Sequence, residues 1–312
     1  MKIGILGRTS WLLNTARSLA AGVHDLAFVA TAAASPEYGA TVDDFKSFAE
    51  TQDCPFHLID RDTKSSLNGF IRDAAPDVVL SVNWPWILND ETCGIPRLGA
   101  FNAHPGDLPR YRGNACPNWA IINGEAQIGL CIHQMVPGEV DSGPVYFRSH
   151  LKNGPDLYIE NVYEWLAKVI PEGFSKALER LEDPTFRPSI QKENKALPLR
   201  CHPRRPSDGE INWSDCAERI QRLVRASSAP FAGAFSYLEG KRQITIWRAR
   251  IAVMDHDLCA MPGQIAGRAE DGAIRVVCGQ GVLEMEQVET DNGGPLSASN
   301  KYRLGPKEPQ YA

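Results

Sequence analysis

The chain has 312 residues, 43% hydrophobic and 23% charged, enough to bury a sizeable core in about two domains. Acidic residues (38) outnumber Lys and Arg (33), a balance of −5 that excludes coating nucleic acid through surplus cations. No run of about 18 apolar residues offers a membrane span, and Met1-Lys2-Ile3-Gly4-Ile5-Leu6 is too short and too quickly polar for a signal peptide. The eight cysteines are scattered without a CxxC, which suits a reducing cytoplasm and not a disulfide framework. Cys201-His202 and His256 with Cys259 fit no zinc spacing, so no metal is expected.

In chain order, strands are predicted at Ile3–Leu6, Leu26–Ala32, Pro55–Ile59 and Val78–Val82, with helices at Ser10–Ala20, Val42–Ala49 and Leu67–Ala74 between them. That rhythm implies a parallel sheet covered on both faces. Gly4 and Gly7 lack the spacing of a dinucleotide fingerprint, so a Rossmann-like sheet without a dinucleotide site is expected. Ala100–Ala103 is a further strand, followed by a polar loop and a short helix near Pro117–Ile122. Ile128–Met135 and Pro144–His150 read as strands. Asp156–Leu181 is helical, with Val162, Leu166, Val169, Ile170, Phe174, Ala177, Leu178 and Leu181 on one apolar stripe. Residues 187–206, rich in Pro and charge, read as a linker between a domain at 1–186 and one at 207–312. The second domain opens with a helix at Ser214–Ala226. Five short strands follow, Gly233–Leu238, Gln243–Ile251, Gly263–Arg268, Ala273–Cys278 and Val282–Val288, as in a small β-barrel. The last twenty or so residues read as a loose tail.

The densest polar stretch directly after a strand is Phe101-Asn-Ala-His-Pro-Gly-Asp-Leu-Pro-Arg-Tyr-Arg-Gly113. Asn102 and His104 are two apart, so an extended backbone turns both to one face at the sheet's carboxyl edge. Val140-Asp141-Ser142-Gly143-Pro144 places an acid in a turn between two strands. An amide N–H that binds an oxyanion, a neutral imidazole that accepts a proton and a carboxylate that orients it would suit acyl transfer. On local grounds alone, a lone His such as His104 is more often a hydrogen-bonded structural group, and Asp141 more often a turn residue.

Several ordered motifs resemble the formyltransferases that use N10-formyltetrahydrofolate, the family of methionyl-tRNA formyltransferase and the sugar N-formyltransferases. They are Asn102-Ala-His-Pro, Leu108-Pro-Arg-Tyr-Arg-Gly, Trp119-Ala-Ile, and Gly129 through His133 to Asp141-Ser-Gly. Ile211-Asn-Trp, Arg225-Ala, Pro230, Gly233-Ala-Phe and Ile246-Trp extend the likeness into an OB-like C-terminal domain. One departure is Gly106-Asp-Leu-Pro, where many members have Ser-Leu-Leu-Pro. The resemblance implies that Asn102 binds the formyl oxygen as it becomes an oxyanion, that His104 moves protons, and that Asp141 fixes His104 and helps deprotonate the incoming ammonium. It also implies a folate site along Asn83, Trp84, Trp86, Ile87 and Leu88, near Val140, contacted largely through backbone groups. Trp84 and Trp86 could also be core or lid aromatics.

Residues Ala33 to Asp44 carry three acids and no base where tRNA-specific members have a basic insertion, and an acidic loop does not grip a phosphate backbone. The closer resemblance is to enzymes that formylate an amino sugar on a nucleotide diphosphate, such as a 4-amino-4,6-dideoxy sugar for lipopolysaccharide O-antigen. Tyr38 and Asn83-Trp84 belong to that likeness. Arg110, Arg112, Arg200, Arg204 and Arg205 are the cations that could hold the diphosphate, guanidinium forks matching phosphate geometry, although the linker arginines could be plain surface charge. A homodimer is expected from the resemblance, with neither nucleic acid nor membrane as partner. The competing expectations are a methionyl-tRNA formyltransferase, a formyltetrahydrofolate hydrolase, or a folate- or nucleotide-sensing module.

Overall fold

A computed structural model describes residues 1–191, 197–256, 258–291 and 293–308; linker positions 192–196 and tail positions 309–312 lie outside it. The chain forms two compact units, one of Met1–Cys116, Ile128–Leu151 and Tyr163–His202, the other of Pro117–Gln127, Lys152–Val162 and Pro203–Ala312.

In the first unit, β1 (Lys2–Gly7), β2 (Asp25–Thr31), β3 (Phe56–Leu58), β4 (Val78–Val82), β5 (Ala100–His104), β7 (Gln127–Gln134) and β8 (Val145–Lys152) form one sheet in the order β3-β2-β1-β4-β5-β7-β8. Every β4 side chain is buried, so its unbroken apolar run is that of a strand covered on both faces. The helix α1 (Ser10–Ala20) is capped by Thr9, which accepts the Leu12 N–H, and buries Leu12, Ala16 and Leu19. Helices α2 (Val42–Thr51) and α3 (Leu67–Ala74) follow β2 and β3. The chain winds outward from β1 to β2 and β3, then returns to β4 on the other side. Connections diverge there, and such a switch point opens a crevice at the strands' carboxyl ends.

The rhythm of the first half predicts a parallel sheet, whereas the observed sheet is mixed. β7 runs antiparallel to β5, placing Asn102 opposite His133 and His104 opposite Cys131. A short helix, α4 (Asp90–Gly94), and a small parallel pair, β6 (Tyr111–Gly113) with β9 (Leu199–Cys201), also lie outside the sequence reading. Strands of three residues are too short to show an alternation, so β9 was concealed within the stretch read as a linker. Helix α5 (Cys116–Ile122) matches the expected short helix, and the long α6 (Ile159–Glu182) buries six of its eight predicted stripe residues, Val169 and Leu181 being half-buried.

In the second unit, α7 (Ala217–Ser227) accompanies β10 (Ala234–Leu238), β11 (Arg242–Ile251), β12 (Ile265–Arg268), β13 (Ile274–Val277), β14 (Val282–Thr290) and β15 (Leu304–Gly305). The sheet order is β12-β13-β14-β11-β10-β15. Trp213, Ile220, Val224, Ile244, Ile246 and Leu283 lie in its core. The tail is not loose through its whole length: Leu304 is buried, β15 pairs with β10, and a Gln264–Arg303 bridge links the two edges of the sheet. Two residues of strand carry no periodic signal, which is why this closure is invisible in the sequence.

Candidate active site

The alternation of β5 turns Asn102 and His104 to the same face, and the loop behind them fixes the imidazole. His104 is 4% exposed, and its Nε2–H donates to the Tyr111 carbonyl at 2.6 Å. Gly106 makes that bond possible. A Cβ there would stand 2.4 Å from both His104 Nε2 and the Tyr111 oxygen, so glycine lets the loop close tightly. The Leu108–Pro109 bond in this loop is cis.

Asp141 stands on the turn between β7 and β8 with φ 49°, in the left-handed region. Backbone strain of this kind concentrates at functional sites. Its Oδ2 accepts the Gly113 N–H at 2.9 Å and lies 3.4 Å from His104 Nδ1; its Oδ1 lies 3.5 Å from Asn102 Nδ2. Gly113 has φ 102°, and a Cβ would meet the Cys201 oxygen at 2.4 Å, so glycine lets β6 present its N–H to Asp141 while pairing with β9. The three residues singled out from the sequence therefore meet at one place.

Two further residues complete the cluster. His133, 2% exposed, donates Nδ1–H to the Gln134 carbonyl at 2.9 Å and brings Nε2 within 3.3 Å of Asp141 Oδ1, close but off the line of a hydrogen bond. Gln191, buried in the stretch read as a linker, donates to the Asp141 and Gly143 carbonyls at 3.0 and 2.7 Å and accepts from Arg112 Nη2 at 2.8 Å. Neither has a local signature; each is placed by its strand partner or by the return of a distant segment. Burial alone would raise the Asp141 pKa, but the attraction of the His104 and His133 rings whenever they carry a proton, together with the Gly113 N–H, outweighs it and holds the carboxyl well below the usual carboxylate range. For His104, burial outweighs the pull of Asp141 and pushes the imidazole below its ordinary value. The site thus combines an ionised carboxylate, an imidazole kept neutral and an amide donor, a set able to stabilise an oxyanion and accept a proton.

A cavity of about 350 Å³ opens beside Asp141, lined by Arg112, Glu139, Val140, Ser142, Pro198 and Arg200. Arg112 and Arg200 are register neighbours across β6 and β9. Ser142 Oγ and Arg112 Nε are buried without a partner. Arg110 is exposed and lies over the Tyr111 ring at 5.6 Å. Arg204 is not among the cavity residues. It belongs to the second unit, where it donates to the Ala226 and Asp208 carbonyls and to Ser227 Oγ, and covers Trp119 at 5.9 Å. Arg205 is exposed and binds Asp208 Oδ2 through its backbone N–H.

The loop after β4 holds the residues expected at the folate. Asn83 is left-handed at φ 53° and its carbonyl accepts from Arg8 Nε at 2.9 Å. Trp84 and Trp86 meet edge to face at 5.2 Å, both half-buried against the core, with Trp84 Nε1 unpartnered. Leu88 is a core side chain, whereas Ile87 is 65% exposed. Tyr38 lies under Arg8 at 5.0 Å, an arginine the sequence reading did not single out. In the acidic segment, Thr41 and Asp44 form a capping box for α2, and Asp43 and Asp44 stand where the helix dipole favours acids.

Among the described residues, no helix is long and apolar enough to cross a membrane. Among solved structures, the chain is similar in fold to the N-formyltransferase of Helicobacter canadensis in complex with folinic acid and dTDP-3-aminofucose, with a TM-score of 0.62, 14% identity, and 91% of this chain and 98% of that one covered. It is also similar to HypX of Aquifex aeolicus in complex with tetrahydrofolic acid, with a TM-score of 0.59 and 18% identity; the match covers 93% of this chain and 44% of that one. The chain therefore spans less than half of HypX. The methionyl-tRNA formyltransferase of Geobacter metallireducens is 33% identical over 230 residues, 74% of this chain and 71% of that protein. Residues 1–178 match the family described as formyl transferase and residues 204–303 its C-terminal domain, and the chain belongs to that family.

Proposed function

We propose that the protein transfers the formyl group of N10-formyltetrahydrofolate to the amine of a nucleotide-linked amino sugar, a 4-amino-4,6-dideoxy sugar in the form the sequence resemblance favours, and releases tetrahydrofolate. The observation that carries the reading is the meeting of Asn102, His104 and Asp141 at the carboxyl end of β5. The donor folate lies along Asn83–Leu88 and Val140, with its formyl oxygen at the Asn102 amide. An amine attacks only when neutral, and His104 and Asp141 take the proton it must lose. Arg112 and Arg200, side by side at the cavity rim, supply the cations a diphosphate requires.

A second acceptor, methionine charged on initiator tRNA, is favoured by the Geobacter relative, which bears that name. Against it stands the 33–44 segment, whose charges are acidic. Incubation with N10-formyltetrahydrofolate and a panel of nucleotide-linked amino sugars should release tetrahydrofolate with at least one sugar. Turnover on charged initiator tRNA with none on any amino sugar overturns the proposed acceptor, and release without any acceptor points to hydrolysis.

A further inference from the structure

His133 is a buried histidine directly opposite Asn102 in the sheet, and the transfer chemistry as described leaves it unused. Its Nδ1–H is committed to the Gln134 carbonyl, as the Nε2–H of His104 is to Tyr111. A ring without a second proton thereby keeps one bare nitrogen. Both bare nitrogens face the same carboxylate, His104 Nδ1 at 3.4 Å from Oδ2 and His133 Nε2 at 3.3 Å from Oδ1. Two lone pairs opposing a carboxylate are an unsatisfied arrangement, which a proton on either ring converts into a charge-assisted contact. Asp141 therefore stands between two vacant proton stations.

Formyl transfer calls for two. The attacking ammonium loses two protons while its electron pair forms the new C–N bond. One returns to N10 of the folate as the C–N10 bond breaks; the other is surplus. We infer that His133 is a positioning residue that acts through Asp141: its Nε2 takes the surplus proton and keeps Asp141 ionised and aligned while His104 serves the reacting centre. The inference rests on the formyl-transfer reading. It does not depend on the acceptor, because water attacking the formyl carbon also loses two protons for the one that N10 takes.

The other groups on this face do not compete for that proton. Cys131, on the same face of β7 as His133, has its thiol pushed up to about 11 by burial and stays neutral. Arg112, from β6, bears a fixed charge, and its proximity disfavours a proton on His104. Asp107, which also acts on Cys131, is itself paired with Arg148 and His150, so among these described residues Asp141 and the two rings are left to share it.

The test compares the full chain with His133→Gln, which can hydrogen-bond Asp141 but cannot accept a proton, and with the apolar His133→Met. The measurement is kcat and KM across pH with the acceptor that turns over. Expected in both variants is a fall in kcat of about tenfold or more at an unchanged KM for the formyl donor. The low-pH limb of kcat should have a slope of about two in the parent and about one in the variants, since one of two proton stations is gone. Circular dichroism checks folding. Full activity with the parent slope in either folded variant overturns the inference. If the parent turned over with no acceptor, the formyl-transfer reading would fail separately. Nitrogen-15 spectra of the histidine-labelled parent would still decide about His133: a proton gained at Nε2 on acidification supports the inference, and a bare Nε2 down to acid unfolding contradicts it.

Discussion

At the scale of single residues, the site works because each polar group has one task that its neighbours enforce. Under the proposed function Asn102 is the amide held where the formyl oxygen gathers charge, and removal of one such donor costs about 100-fold or more in rate. Asn102→Ala should therefore lower kcat by about that factor with little change in donor affinity, measured by tetrahydrofolate release. The protonation states also predict a stability profile. The folded His104 pKa lies below its unfolded value of about 6.5. The unfolded state then binds more protons as acid is added, so stability present above about pH 6.5 is lost as pH falls through the folded value. Asp141, also depressed, acts in the same direction, but only below about pH 4. The parent chain should lose more urea resistance between about pH 7 and about pH 5 than His104→Gln, whose amide does not titrate.

At the scale of elements, the site is a product of strand register and of segments returning from far along the chain. The placing of Asn102 and His104 on one face was legible because a strand repeats every two residues. The placing of Asp141 and His133 beside them was not legible from local pattern. Asp141 depends on a left-handed turn, and His133 depends on which residue of β7 lies opposite Asn102. Short-range periodicity carries neither. The same holds for Gln191, whose neighbourhood looks like a linker yet clamps the Asp141 turn. Gln191→Ala leaves two carbonyls without their donor and frees Arg112, so it should reduce folding stability by about 1–3 kcal/mol in urea titrations. It should also weaken kcat, because the carboxylate loses its fixed aim.

At the scale of the whole molecule, each unit builds its own core from patterns the sequence displays well. The β-α-β rhythm of the first unit and the alternating strands of the second were legible because they bury long, regular stripes. The strands β7 and β8 were legible too, but not that β7 runs antiparallel to β5, nor that the two-residue β15 joins the other sheet. Leu304, 1% exposed, anchors β15 in the core of the second unit. Leu304→Ala should cost about 2–5 kcal/mol and lower the thermal midpoint of that unit, read by calorimetry.

Under the proposed function His104, with Asn102 and Asp141, performs the chemistry and does not merely hold the fold. The decisive measurement is tetrahydrofolate release from N10-formyltetrahydrofolate with the His104→Ala chain, alongside folate binding by the same preparation. The expected result is transfer abolished while folate binding stays near that of the parent. Undiminished transfer, or loss of transfer and folate binding together, would contradict it.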